Sequence, residues 1–242
     1  MSAEKATGIS GELESLKELL KQRFPDATSL DPPSCGILPS GIVGLDALLP
    51  GGLPRGALSL LSGGVSCGKT GLALAFAAEL TRQGGKLAWL HQGAFSAPSA
   101  WQAGVDLEGL LAVQVDSFDQ ARRCADFLLR WQAFELVVLD WPGHGGSAKT
   151  WSRLHRLVTG SSTILLVITP ELPPGDPLRY CASLSLLLER REGRTATSLL
   201  LEKSRYGRAG ESTELDSGHR ETTFELLSDL PGLGQDWHDE VG

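Results

Sequence analysis

The chain has no C-x-x-C pair, no basic excess and no long apolar run. Its four cysteines, Cys35, Cys67, Cys124 and Cys181, stand far apart, a spacing that argues against a metal-ligand set or a disulfide framework and fits a reducing cytoplasm. Lys and Arg number 22 against 29 Asp and Glu, a net charge of −7. That balance excludes electrostatic capture of nucleic acid over a whole face while leaving room for a local basic patch. The longest pure aliphatic runs, such as Ile164 to Ile168, are too short to span a bilayer, so no membrane association is expected. Residues 1–10 carry Glu4 and Lys5 and no apolar core, so no signal peptide is expected. Aromatics are 6% of the chain and do not interleave with basic residues as a single-strand-binding surface requires.

What the chain does have is a phosphate-binding loop. Gly63-Gly64-Val65-Ser66-Cys67-Gly68-Lys69-Thr70 satisfies G-x-x-x-x-G-K-[ST] at every fixed position. Glycines let consecutive backbone N–H groups turn inward around phosphate oxygens. A helix that starts at the loop adds its unpaired N–H groups and positive dipole end. Lys69 is placed to reach the β/γ-phosphates, and the Thr70 hydroxyl to ligate Mg²⁺. The flanks agree: Ala57 to Leu61 reads as a buried strand entering the loop, and Gly71 to Arg82 as a buried helix leaving it.

A chain of 242 residues can build one large α/β domain plus a small appendage. The pattern divides it into an N-terminal helix and Pro-rich linker (1–36), a core (37–229) and a loose C-terminal tail (230–242). Within residues 11–23, Leu13, Leu16, Leu19 and Leu20 fall on one helical face, and Pro25 ends the helix. This arm packs on its own core or docks on another protein. In the core, strands are expected at Lys86–Leu90, Glu135–Asp140, Thr163–Thr169, Ser183–Glu189, Thr195–Glu202 and Thr222–Leu227. Helices are expected at Phe118–Trp131 and Trp151–Val158, the latter with Arg153, His155 and Arg156 outside. The charged turn Arg190-Arg191-Glu192-Gly193 joins two of the strands. Alternating strands and helices followed by a run of strands predict an α/β fold, a mainly parallel sheet flanked by helices with an antiparallel extension.

Asp140 closes an apolar strand about seventy residues after the loop. It suits the acid that holds Mg²⁺ through water beside Thr70. Hydrolysis of ATP also needs a group to position or deprotonate the attacking water. The strand after the loop helix ends Leu90-His91-Gln92-Gly93, without a carboxylate. Gln92 can orient water but cannot take its proton; His91 is a possible base.

The segment from Gly36 to Asp140 resembles the ATPase core of the bacterial recombinase RecA. The matching pieces are PSGIVGLDALLPGGLPRGALSLLSGGVSCGKT, AGVDLEGLLAVQVDSFDQARRCADFLL and ELVVLD, with weaker likeness at Ser183–Arg191 and Glu202–Arg205. The resemblance implies a RecA-like P-loop fold that binds ATP or ADP with Mg²⁺ through Gly63 to Thr70 and Asp140. It also marks departures. The family's catalytic Glu falls at Gln92 or Gly93, its adenine-stacking aromatic near Ser99, and its γ-phosphate-sensing Gln at about Pro170, which has neither an amide nor an N–H. The two DNA loops, near Pro142–Lys149 and Glu171–Asp176, are short, and no counterpart of the recombinase's large C-terminal domain is expected.

This pattern resembles the RecA-like branch called ImuA, whose members accompany the polymerase-like partner ImuB in SOS-induced translesion synthesis. The resemblance implies contact with RecA and an ImuB-type partner, nucleotide binding retained or vestigial, hydrolysis weak or absent, and DNA binding weak or indirect. Self-association stays open. Lys203 and Arg205 match a basic pair that in the recombinase reaches the neighbouring subunit's ATP, so they are interface candidates, or else a solvated turn. Phe24-Pro25-Asp26-Ala27 matches the F-x-x-A polymerisation motif of eukaryotic recombinases, or simply ends a helix. Two other functions stay open. One is an active DNA-dependent ATPase or recombinase, with Lys149, Arg153, Arg156 and Arg179 as a basic channel. The other is a RecA-like cell-division inhibitor.

Overall fold

The apolar runs assemble into one eight-stranded sheet with helices on both faces. The computed structural model describes residues 36–49, 51–143, 145–190, 197–206 and 209–215. The leucine-striped arm, most of the linker with Phe24–Ala27, the turn at 191–193, the strand expected at 222–227 and the tail lie outside the described residues.

In chain order the elements are β1 (Ile37–Leu38), α1 (Val43–Leu48), β2 (Leu53–Pro54), β3 (Leu58–Gly63), α2 (Lys69–Arg82), β4 (Leu87–His91), α3 (Ala97–Gln102), β5 (Leu110–Gln114), α4 (Phe118–Trp131), β6 (Leu136–Asp140), α5 (Ala148–Thr159), β7 (Ile164–Ile168), α6 (Pro177–Cys181), β8 (Leu184–Arg190), β9 (Thr197–Ser204) and β10 (Ser212–Leu215). The sheet order is β10-β9-β8-β3-β7-β6-β4-β5. From β8 to β5 all neighbours are parallel, while β9 and β10 pair antiparallel. The expected fold class is therefore the observed one. β1 and β2 form a separate antiparallel pair.

The central strands are apolar over most of their length because both faces are covered. On one face α2 packs Leu72, Phe76, Ala77 and Leu80 with Trp89, Val138 and Leu166. On the other, α4 and α5 bring Ala121, Ala125, Leu128, Trp151, Leu154 and Val158 against Leu60, Leu90, Val137 and Leu165. Burying a side chain such as Leu165 stabilises the fold by roughly 1.5–3 kcal/mol. Side-chain caps set the helix starts. Ser117 Oγ accepts from Gln120 N, and Ser147 Oγ accepts from Thr150 N, the Ncap arrangement.

The boundaries of α4 are those expected from sequence. α5 starts three residues earlier than expected because Ser147 caps it. β4 is shifted by one residue, which brings His91 into the strand. The edge strand β5, the short β1, β2 and β10, and the six-residue helices α1 and α3 were not expected.

Candidate nucleotide-binding site

The start of the loop is shaped by backbone that leaves no room for a side chain at Gly63. Gly63 closes β3 with φ 147°, and a Cβ there would sit 2.2 Å from the Leu188 carbonyl oxygen on β8. Gly68 has φ 96° and precedes α2 with no side-chain cap, so the first N–H groups of a 14-residue helix are left to the loop. Between them, Ser66 is left-handed at φ 57° and Gly64, Val65 and Ser66 are exposed, while Cys67 is buried beneath Gly63. Thr70, in the first turn of α2, is exposed. Lys69 Nζ donates to the carbonyls of Gly63, at 2.7 Å, and Gly64. It also lies 3.6 Å from Cys67 Sγ.

Two groups from the antiparallel extension brace the loop from outside. Thr197 Oγ1 donates to the Cys67 carbonyl at 3.3 Å, and the Arg190 guanidinium reaches the Ser66 carbonyl at 3.4 Å. Neither was found by sequence reasoning. Both residues are more than a hundred positions from the loop, and only strand pairing brings them there.

Asp140 ends β6 in register with His91 of β4 and Ile168 of β7. Burial pushes its carboxyl above the ordinary range. The Trp89 indole, the Lys69 ammonium and His91 act in the opposite direction. The Trp89 N–H approaches the carboxylate without closing a well-formed hydrogen bond. Its effect on Asp140 is best taken as a dipole pointing the right way. His91 is buried, its Nδ1–H donates to the Gly93 carbonyl at 2.9 Å, and its ring stacks on Phe95 at 5.5 Å. A carbonyl only accepts, so this bond places the imidazole lone pair on Nε2.

The other expected positions are placed as follows. Gln92 is exposed just beyond the end of β4, and Gly93 follows at φ 83°. Ser99 belongs to α3, its N–H donating to Ser96 Oγ at 3.2 Å. Pro170 follows β7, its carbonyl accepting from Thr169 Oγ1 at 2.7 Å. The loop after it is tied down by buried Leu172 and by Asp176 Oδ1, which accepts from Leu178 N at 2.8 Å.

Lys203 and Arg205 both make contacts within their own chain. Lys203 Nζ donates to the carbonyls of Arg179 and Tyr180, at 3.0 and 2.7 Å, at the end of α6. Burial, and then the Arg205 charge, lower its pKa. Arg205 lies 3.5 Å from His155 Nε2. His155 was expected on the outer face of its helix. It is instead half-buried, because Arg205, the residue after β9, reaches it from the neighbouring segment. Burial, Arg205 and Lys203 together depress its pKa. Of the four basic channel candidates, Arg179 pairs with Glu202 at 2.9 Å and Arg153 with Asp126 at 2.6 Å, a carboxylate it shares with Arg130.

Comparison with known proteins agrees with this geometry. Residues 29–143 match the RecA N-terminal domain family. Protein RecA of Tropheryma whipplei (strain Twist) is 41% identical over 106 residues, which is 43% of this chain and 24% of that protein. Protein RecA of Oleidesulfovibrio alaskensis is 42% identical over 106 residues, 43% of this chain and 30% of that one. The matched stretch thus spans a quarter to a third of the length of these curated relatives. The crystal structure of the RadB recombinase superposes with a TM-score of 0.66 at 22% identity, covering 76% of this chain and 97% of that one. The core is RecA-like. Among the described residues, no helix is long and apolar enough to cross a membrane.

Proposed function

We propose that this RecA-like core serves a regulator rather than a recombinase. In this reading it is an accessory protein of damage-induced translesion synthesis, of the ImuA type, acting by contact with RecA and an ImuB-type polymerase-like partner. The observation that carries the reading is the contrast between the two halves of the site. The loop keeps its glycines, Lys69 and Thr70 in cradle geometry. The strand ends opposite it present buried His91, exposed Gln92 and Pro170, where hydrolysis needs a carboxylate and an amide.

The cradle fits a nucleotide phosphate with Mg²⁺. The uncapped N–H groups at the start of α2 and the φ values of Gly63 and Gly68 suit phosphate oxygens. Thr70 and Asp140 supply the oxygen donors that Mg²⁺ takes. In this reading Gly63 to Thr70 hold the phosphates, Lys69 neutralises their charge, and Asp140 holds the ion through water. Bound Mg²⁺ supplies further neutralisation of the phosphate oxygens. His91, with its lone pair on Nε2, is the one candidate base at these strand ends, and Gln92 can orient water but cannot take its proton. With no carboxylate at these strand ends, hydrolysis in this reading rests on His91 alone and is expected to be slow.

The test is a calorimetric titration with Mg-ATP, with turnover followed on the same sample with and without single-stranded DNA. Little DNA-stimulated turnover is expected, together with co-sedimentation with purified RecA or with the polymerase-like partner. Turnover at a recombinase-like rate on single-stranded DNA would overturn the proposal.

A further inference from the structure

We infer that the leucine-striped N-terminal arm covers an aromatic patch on α4 of its own chain. α4 turns Ala121, Ala125, Leu128 and Leu129 into the core and leaves Phe127 and Trp131, one helical turn apart, 62% and 60% exposed. Their rings lie 5.8 Å apart, and Trp131 continues to Phe134 at 6.0 Å. Beside them runs β5, the last strand of the sheet. Leu111 on β5 is 40% exposed. It pairs with Ala88, which belongs to the core on the α4 side, so Leu111 faces the same way as the rings. The three rings form a continuous row, with Leu111 turned to the same face of the sheet, and a free surface seldom carries such a row.

The place where the arm leaves the core identifies the occupant. The Gly36 carbonyl accepts from Arg55 N at 3.0 Å. The Arg55 guanidinium pairs with Glu135 at 2.6 Å, the residue next to Phe134. The arm therefore emerges at the end of the sheet where the ring row finishes. Residues 24–35 can span about 40 Å when extended, several times the 5.8 and 6.0 Å steps between the rings. Folded as the helix its sequence pattern predicts, the stripe from Leu13 to Leu20 would extend about 10 Å, comparable to three rings spaced by 5.8 and 6.0 Å. A tether of this length holds the stripe at an effective concentration on the order of millimolar, which favours the same chain over a second copy.

The experiment is hydrogen exchange on the full chain, comparing the native sequence with L16D/L20D, which changes no core residue. Segment 124–134 is expected to exchange roughly tenfold faster in the variant while β3, β6 and β7 keep their protection, because only the cover is lost. The difference should persist unchanged through a dilution series. In the reciprocal variant F127S/W131S, the amides of residues 13–20 should lose protection. Equal exchange of 124–134 in the native and L16D/L20D chains overturns the proposal. Protection that vanishes on dilution also overturns it and assigns the patch to a second copy.

Discussion

Thr197 Oγ1 donates to the Cys67 carbonyl across 3.3 Å, joining the antiparallel extension to the middle of the phosphate loop. The extension is thus part of the site, not an ornament at the edge of the sheet. T197V removes the hydroxyl and keeps the shape. It is expected to cost about 1 kcal/mol of stability and to weaken Mg-ATP binding by about fivefold, a loss of similar size. Thermal unfolding and calorimetry on one preparation check both effects.

Lys69 is the cation of the cradle, and K69A is expected to abolish measurable nucleotide affinity while leaving the fold intact. Circular dichroism checks the fold and calorimetry the affinity. Unchanged binding would place the nucleotide elsewhere.

Gly63 is the position in the loop where backbone meets backbone. G63A sets a methyl 2.2 Å from the Leu188 carbonyl oxygen at φ 147°. It should cost at least ~2 kcal/mol in urea unfolding, through strain and the displacement of β8. G64A, where nothing lies within 4 Å of the added carbon, should leave stability near native.

His155 gives the fold a pH dependence of predictable sign. Its pKa is depressed in the folded chain by burial, Arg205 and Lys203, so the unfolded chain takes up a proton first as pH falls. Stability is then full above the ordinary histidine value of about 6.5 and declines as pH drops below it toward the folded value. H155Q should flatten the fall in Tm between about pH 7.5 and 5.5. R205Q, which withdraws the nearer cation, should move the His155 titration upward when followed by NMR.

The parts of the molecule written in local pattern were legible in the sequence. The loop, α4 with Ser117 before it, and the apolar strands β6 and β7 each carry their own signal. The elements missed are those that partners create. β5 shows no clean alternation because it lies at the rim with exposed residues on both sides, and β10 is a polar Ser-Thr-Glu-Leu stretch held by its ladder with β9. The site divides in the same way. Gly63 to Thr70 and Asp140 were readable from spacing. The braces from Arg190 and Thr197, and the burial of His155 beneath Arg205, depend on contacts between distant segments that no local pattern records.

The register of the parallel strands separates two surfaces. Gly63, His91, Asp140 and Pro170 follow or close the strands at one end. Gly36, Arg55, Glu135 and Thr163 gather at the other. Five residues of strand, about 17 Å, stand between them as an insulating wall. A substitution at Gly36, Arg55 or Glu135 therefore lies a full strand length from the phosphate loop.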